Sequence, residues 1–184
     1  YARIRHVLIS SKDYLIAQLT GECVGDVAAC STAGAMNIRN GQWDAELCEV
    51  AEIDMTILPH LHNPQDNIGT VTESAAQRTG FSAGTAVYAG IGDAGATTLA
   101  SGVSHPGQYN INIGTSGWIA TVSPEPFTDK PGAANLAFGV EEGFVNAVPF
   151  LNAGDVHKWV TGVFSDGDYA EAHQLIETSK PGSN

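Results

Sequence analysis

The sequence predicts an α/β protein with a mixed sheet. An apolar run, Thr85-Ala86-Val87-Tyr88-Ala89-Gly90-Ile91-Gly92, has the character of a buried strand and leads directly into the helix start Asp93-Ala94-Gly95-Ala96. Gln108 to Ile113 alternates polar and apolar, and turn-bounded apolar segments follow it, which is hairpin sequence. Strands feeding helices in the first half and hairpins in the second give a mixed sheet.

The elements follow in order. Ser11 as cap, Leu15, Ile16 and Leu19 on one face and Gly21 as stop predict a first helix. The small-residue run from Asp26 to Ala35 fits either a helix or a loop. Asp44 caps a helix carrying Leu47, Val50 and Ala51, and Leu58-Pro59 ends that region. Asn67 to Val71 reads as a short strand, and Thr72 to Thr79 as a helix stopped by Gly80. His60 and His62, beside Pro59 and Pro64, read as a solvated loop. Gly114-Thr115-Ser116-Gly117 joins the strand at 108–113 to another at Trp118 to Val122. Ala137 to Val140 and Phe144 to Val148 flank Glu141-Glu142-Gly143 as a second hairpin. Two helices close the chain, one from Asp155 through Trp159 to Val163, the other with Tyr169, Ala172, Leu175 and Ile176 on one face. Trp43, Trp118 and Trp159 are expected in the core.

Composition narrows the function classes. The 184 residues carry 8 Lys+Arg against 20 Asp+Glu, a net charge of −12. Nucleic-acid backbones and anionic membranes are poor partners for such a chain, because both are bound by clustered cations. A phosphate held here rests on backbone N–H groups, helix ends or a metal. Cys23, Cys30 and Cys48 are an odd number without a C-x-x-C pair, which fits free thiols of a reducing compartment and a cytoplasmic location. No stretch approaches the ~18 apolar residues of a membrane span. The chain opens on Tyr1 and stops in the loop-like Pro181-Gly182-Ser183-Asn184, which suggests a piece of something longer.

Asp93 falls at a strand's carboxyl end, where α/β sheets bind ligands. Its carboxylate there can take a proton from a hydroxyl or hold a metal, or it can simply cap the following helix. Gly114 to Gly117 is either an ordinary hairpin turn or a place where backbone N–H groups and hydroxyls cradle a phosphate. It is neither a Walker A loop nor a dinucleotide fingerprint. No histidine or cysteine spacing suggests a metal cage, and Gly-x-Ser-x-Gly is absent.

In order along the chain, Lys12-Asp13-Tyr14-Leu15 with Leu19-Thr20-Gly21-Glu22, Asp26 and Ser31 in a T-D-x-S-x-A-S spacing, Trp43-Asp44, Leu58-Pro59, Ile68-Gly69, Gly80 to Gly84, Gly90-Ile91-Gly92-Asp93 and Ile113 to Gly117 resemble the FGGY family of carbohydrate kinases. Gly25, Ala28 and Cys30 depart from the second of these patterns. The resemblance implies the actin-like, ribonuclease-H-like pair of α/β domains. Residues 1–102 would then be the C-terminal part of the sugar-binding domain, and 103–184 the N-terminal part of the nucleotide-binding domain. It implies that Asp93 is the catalytic base, that Gly114 and Thr115 contact the nucleotide phosphates, and that Gly154 lies beside the nucleotide, with Asp93 and Gly114 facing one cleft. ATP, Mg²⁺ and a small sugar are the implied ligands, with the metal's ligands unassigned and a homodimer among the states allowed. Ser31 is followed by Thr32 where glycerol kinases carry arginine, which favours a ketopentose such as xylulose. Gluconate or another polyol, and a non-catalytic binder of sugar or nucleotide, are the alternatives. The family's first phosphate loop, early sugar-gripping residues and adenine segment have no counterpart here, so the 184 residues alone are expected to lack kinase activity.

Overall fold

A computed structural model describes residues 3–180 and 182; Tyr1, Pro181, Ser183 and Asn184, named above at the two ends, lie outside the described residues. The chain forms two compact units. The first runs up to Asn110 and includes Ala120–Ala147; the second comprises Ile111–Ile119 and the chain from Val148 onward.

In the first unit, α1 spans Ser11–Thr20 and stops at Gly21, whose φ of 87° is the left-handed conformation glycine tolerates. Its cap is Ser10, one residue earlier than expected, because the Asp13 carboxylate accepts the Ser10 N–H at 3.0 Å. Strand β1 (Val24–Asp26) is fully buried and pairs in parallel with β4 (His60–His62). The expected loop at the two histidines is thus a strand: Pro59 and Pro64 lie outside it, so no donor of the ladder is lost. The small-residue run resolves into both of its alternatives, a four-residue helix α2 (Val27–Cys30) and a 3-10 turn (Ser31–Ala33). β2 (Met36–Asn37) pairs with β3 (Gln42–Trp43), and α3 (Ala45–Val50) begins at its predicted cap Asp44, whose carboxylate accepts the Leu47 N–H. Val27, Cys30, Met36 and Ala137 form a core cluster with Ile9, Ile38, Trp43 and Leu61 packed on it.

β5 (Asn67–Thr70), α4 (Glu73–Thr79, capped by Thr72 and stopped by Gly80) and β6 (Ala86–Tyr88) follow as the patterns indicate. The run around β6 is not a fully buried strand. It pairs antiparallel with β5 alone, and Tyr88 is 55% exposed, because that ribbon joins no larger sheet. Helix α5 (Asp93–Ala100) follows.

A four-stranded sheet has the order β7 (Tyr109–Ile113), β8 (Gly117–Ser123), β10 (Phe144–Phe150), β9 (Ala134–Ala137). A second hairpin is present, with β9 and β10 antiparallel and Phe144 opposite Ala137, but its first strand is Ala134–Ala137 and ends where the expected strand, Ala137 to Val140, begins. In β7 it is Asn110 that is buried, while Tyr109, Ile111 and Ile113 are exposed, as an edge strand permits. The second unit ends in α6 (Gly154–Phe164) and α7 (Tyr169–Thr178), where Val160, Phe164, Leu175 and Ile176 line an open groove, the last three of them exposed. Trp159 lies off that groove and is 66% exposed, against the expectation of a core tryptophan. No helix among the described residues is long and apolar enough to cross a membrane.

Candidate active site

Asp93 is the first residue of α5, after the cap residue Gly92. The capping alternative therefore fails in detail. The Asp93 carboxylate reaches only the N–H of its neighbour Ala94, at 2.9 Å, instead of closing the helix end as a cap does. The side chain is exposed and borders a cavity of about 550 Å³, within the size range of small-molecule sites. Ser10, Lys12, Ala29, Thr32 and Gly92 are among the residues that line it with Asp93.

The floor of this cavity rests on a group of charges. Lys12 Nζ lies 2.6 Å from Asp13 Oδ1, 2.7 Å from Asp26 Oδ2 and 2.9 Å from the Ala89 carbonyl oxygen. Both carboxylates are fully buried. Asp26 also accepts the N–H groups of Ala28 and Ala29, at 3.0 Å each, so one side chain caps α2 and neutralises Lys12. The Lys12–Asp26 contact is an ion pair without hydrogen-bond alignment at Oδ2. Burial alone would lower the Lys12 pKa, but the hydrogen bond to Asp13 and the close negative charge of Asp13 and Asp26 raise it above its ordinary value. Burial, followed by the charge of Asp13 and Asp26, pushes the Cys30 thiol up to about 12, so it is an inert core group. Ser10 Oγ is buried at the cavity's edge, where Ser10 and Asp13 form the capping box of α1.

Two glycines bring the chain to Asp93 closely. A Cβ on Gly92 would sit 3.3 Å from that of Ala29, and Gly90 has a φ of 67° beside the Lys12 stem. The approach is fixed by Ala89 N–H to Asp66 O at 3.0 Å and Gly90 N–H to Pro64 O at 2.9 Å.

In the second unit, Gly114, Thr115 and Gly154 come together through the backbone. Gly154 N–H donates to Gly114 O at 2.8 Å, and Ala153 N–H to Thr115 O at 2.9 Å, so the turn's carbonyls hold the start of α6. Gly114 N–H is used within the turn, donating to Ser116 O at 2.7 Å. Among the described residues no hydrogen bond engages the N–H groups of Thr115 and Ser116 or the Thr115 hydroxyl. The three glycines differ in kind. A Cβ on Gly154 would lie 2.6 Å from Gly114 O, and one on Gly117 would lie 2.3 Å from the Phe150 ring. One on Gly114 would meet only Ser116 O, at an ordinary 3.5 Å. Internal packing therefore requires glycine at 117 and 154 but not at 114, where the missing side chain leaves the turn's outer surface open.

Among the described residues no group of three or more His, Cys, Asp or Glu is placed to hold a metal.

The residues not anticipated as part of the site are Lys12, Asp13 and Asp26. Their signal was present as a Lys-Asp pair on a helix start followed by a capping Asp, but only the fold brings residues 12, 26 and 89 together.

A model of the FGGY family of carbohydrate kinases, N-terminal domain, matches residues 1–100. The gluconokinase of Bacillus subtilis (strain 168) is 28% identical over 167 residues, covering 91% of this chain and 33% of its own length. The autoinducer-2 kinase of Yersinia enterocolitica serotype O:8 is 35% identical over 166 residues, covering 89% and 31%. The crystal structure of xylulose kinase from Rhodospirillum rubrum superposes with a TM-score of 0.83 at 27% identity, covering 96% of this chain and 36% of that one. The chain thus spans about a third of the length of the relatives it matches.

Proposed function

The chain belongs to the FGGY family of carbohydrate kinases, and from that premise we propose that it is part of an ATP-dependent kinase that phosphorylates a hydroxyl of a small sugar, with Asp93 as the base. The observation that carries this reading is Asp93 itself. It is exposed at the start of α5 with one local hydrogen bond, on the rim of a cavity of about 550 Å³. One carboxylate oxygen takes the proton of the acceptor hydroxyl. The acceptor's hydroxyl oxygen then forms a bond to the γ-phosphorus of ATP as the bond to the β,γ-bridging oxygen breaks, and ADP leaves. The open Thr115 and Ser116 N–H groups, in a turn left clear by Gly114, would hold nucleotide phosphates, with Gly154 beside them. Mg²⁺ travelling with the nucleotide would supply charge neutralisation that a chain of net charge −12 does not.

By this reading residues 1–102 belong to the family's first domain and 103–184 to its second. The match of the N-terminal-domain model to residues 1–100 supports that division. For the acceptor we favour a ketopentose such as xylulose. Thr32 lines the Asp93 cavity at the place where the resemblance puts an arginine in glycerol kinases, and relatives named for xylulose, gluconate and autoinducer-2 leave sugar acids and polyols as the comparison set. Because the chain spans a third of those relatives, the 184 residues alone are expected to be inactive.

The test is ADP release by the intact protein that carries this segment, against a panel of ketoses, polyols and sugar acids. Release that depends on one acceptor class is expected. Nucleotide binding with no acceptor-dependent release across the panel would point instead to a non-catalytic binder.

A further inference from the structure

Resting on the reading of Asp93 as the base, we propose that Lys12 is a positioning residue for it: the half-buried ammonium, locked by Asp13 and Asp26, uses a donor on the Ala89 carbonyl to fix the Gly90-Ile91-Gly92 approach to Asp93. Lys12 does not touch Asp93 in any recorded bond, and it is far more constrained than a surface lysine. Its side chain is 24% exposed, with two carboxylate contacts at 2.6 and 2.7 Å. Those two contacts determine where Nζ sits. The third, to Ala89 O at 2.9 Å, spans 77 residues of sequence and ties the strand end to α1.

The segment being held needs holding. Ala89 is followed by Gly90, which takes a left-handed φ of 67°, and by Gly92, which has no side chain to pack. The other ties of this segment are Ala89 N–H to Asp66 O and Gly90 N–H to Pro64 O, both on the same side of the ladder's end, and the Lys12 stem lies 3.8 Å from where a Gly90 Cβ would be. Without the Lys12 donor the Ala89 carbonyl loses its partner, and the glycine-rich approach is free to shift the carboxylate. A displacement of about 1 Å in a catalytic group can cost up to ~10²-fold in rate. Asp26 makes the arrangement rigid from the other side, since the carboxylate that pairs with Lys12 also holds Ala28 and Ala29, and Ala29 packs on Gly92.

The test uses the intact protein with Lys12→Met combined with Asp26→Asn, which removes one charge of each sign and leaves the cluster's net charge unchanged. kcat is expected to fall about 10-fold or more, with the KM values for acceptor and nucleotide changed less than about two-fold. In an Asp93→Asn background the same pair of changes is expected to cost less than about two-fold, because a misplaced base matters only where there is a base. If the pair does not fold, Lys12→Arg carries the same test, since it keeps the charge for both carboxylates and relocates the donor to Ala89. Unchanged kcat in a folded variant, or a loss of equal size in the Asp93→Asn background, would overturn the proposal. The two levels separate cleanly. A crippled Asp93→Asn with an intact Lys12 variant defeats the positioning role alone, and near-normal turnover of Asp93→Asn defeats the base assignment itself.

Discussion

The surroundings of Asp93 and the Gly114 turn are held in place by different means. Around Asp93 the geometry is set by buried charge: one ammonium, two fully buried carboxylates and a helix cap, all sharing atoms. At the Gly114 turn no charged side chain takes part, and backbone carbonyls hold α6 while backbone N–H groups stay open. The difference teaches where each site is vulnerable. A charge cluster fails when one partner loses its charge, whereas a backbone turn fails only when an atom is added to it.

The largest effect on stability is expected at Asp26. Asp26→Ala removes a helix cap and one of the two carboxylates that neutralise the half-buried Lys12. It should cost roughly 2–4 kcal/mol in denaturant unfolding, below the value for a fully orphaned buried charge because Asp13 still pairs with Lys12. Asp26→Asn keeps the cap acceptor and should cost clearly less. Equal costs for the two would mean that the lost charge alone carries the penalty, and no cost for Asp26→Asn would mean that charge is not what organises the first region.

In the second region, addition of a methyl should separate fold from ligand. Gly154→Ala places a Cβ 2.6 Å from Gly114 O and is expected to destabilise by about 1–3 kcal/mol. Gly114→Ala, with its nearest contact at 3.5 Å, should change stability by less than about 0.5 kcal/mol and raise the nucleotide KM of the intact protein several-fold. If Gly114→Ala leaves nucleotide KM untouched, the turn is only a helix support.

The smallest effect concerns pH. The Lys12 pKa is raised in the folded chain, so its contribution to stability is fully present below its ordinary value of 10.5 and is lost as pH rises through the higher folded value. Denaturant midpoints should therefore show no loss traceable to Lys12 between pH 7 and about pH 10, and a decline beyond it that Lys12→Met lacks. A Lys12-dependent decline near neutrality would contradict the clamp.

Much of this was legible in the residues because it is local. The cap at Asp44, the stops at Gly21 and Gly80, the turn between β9 and β10 and the start of α5 at Asp93 each depend on a few neighbouring side chains. What was not legible depends on partners distant in sequence. The strand at His60–His62 exists because β1 lies beside it, and prolines at its ends hid it. The apolar run at 85–92 looked buried because composition reports hydrophobicity and not the number of strands that flank it. Trp159 looked like core for the same reason. The Lys12 cluster joins positions 12, 26 and 89, a coincidence that no single window of sequence contains.

The central claim is that Asp93 performs the chemistry while other groups hold the nucleotide, and kcat with nucleotide KM for Asp93→Asn in the intact protein tests it most directly. The predicted result is a fall in kcat of at least about 10² with nucleotide KM little changed. Near-normal turnover, or a change confined to nucleotide KM, would contradict it.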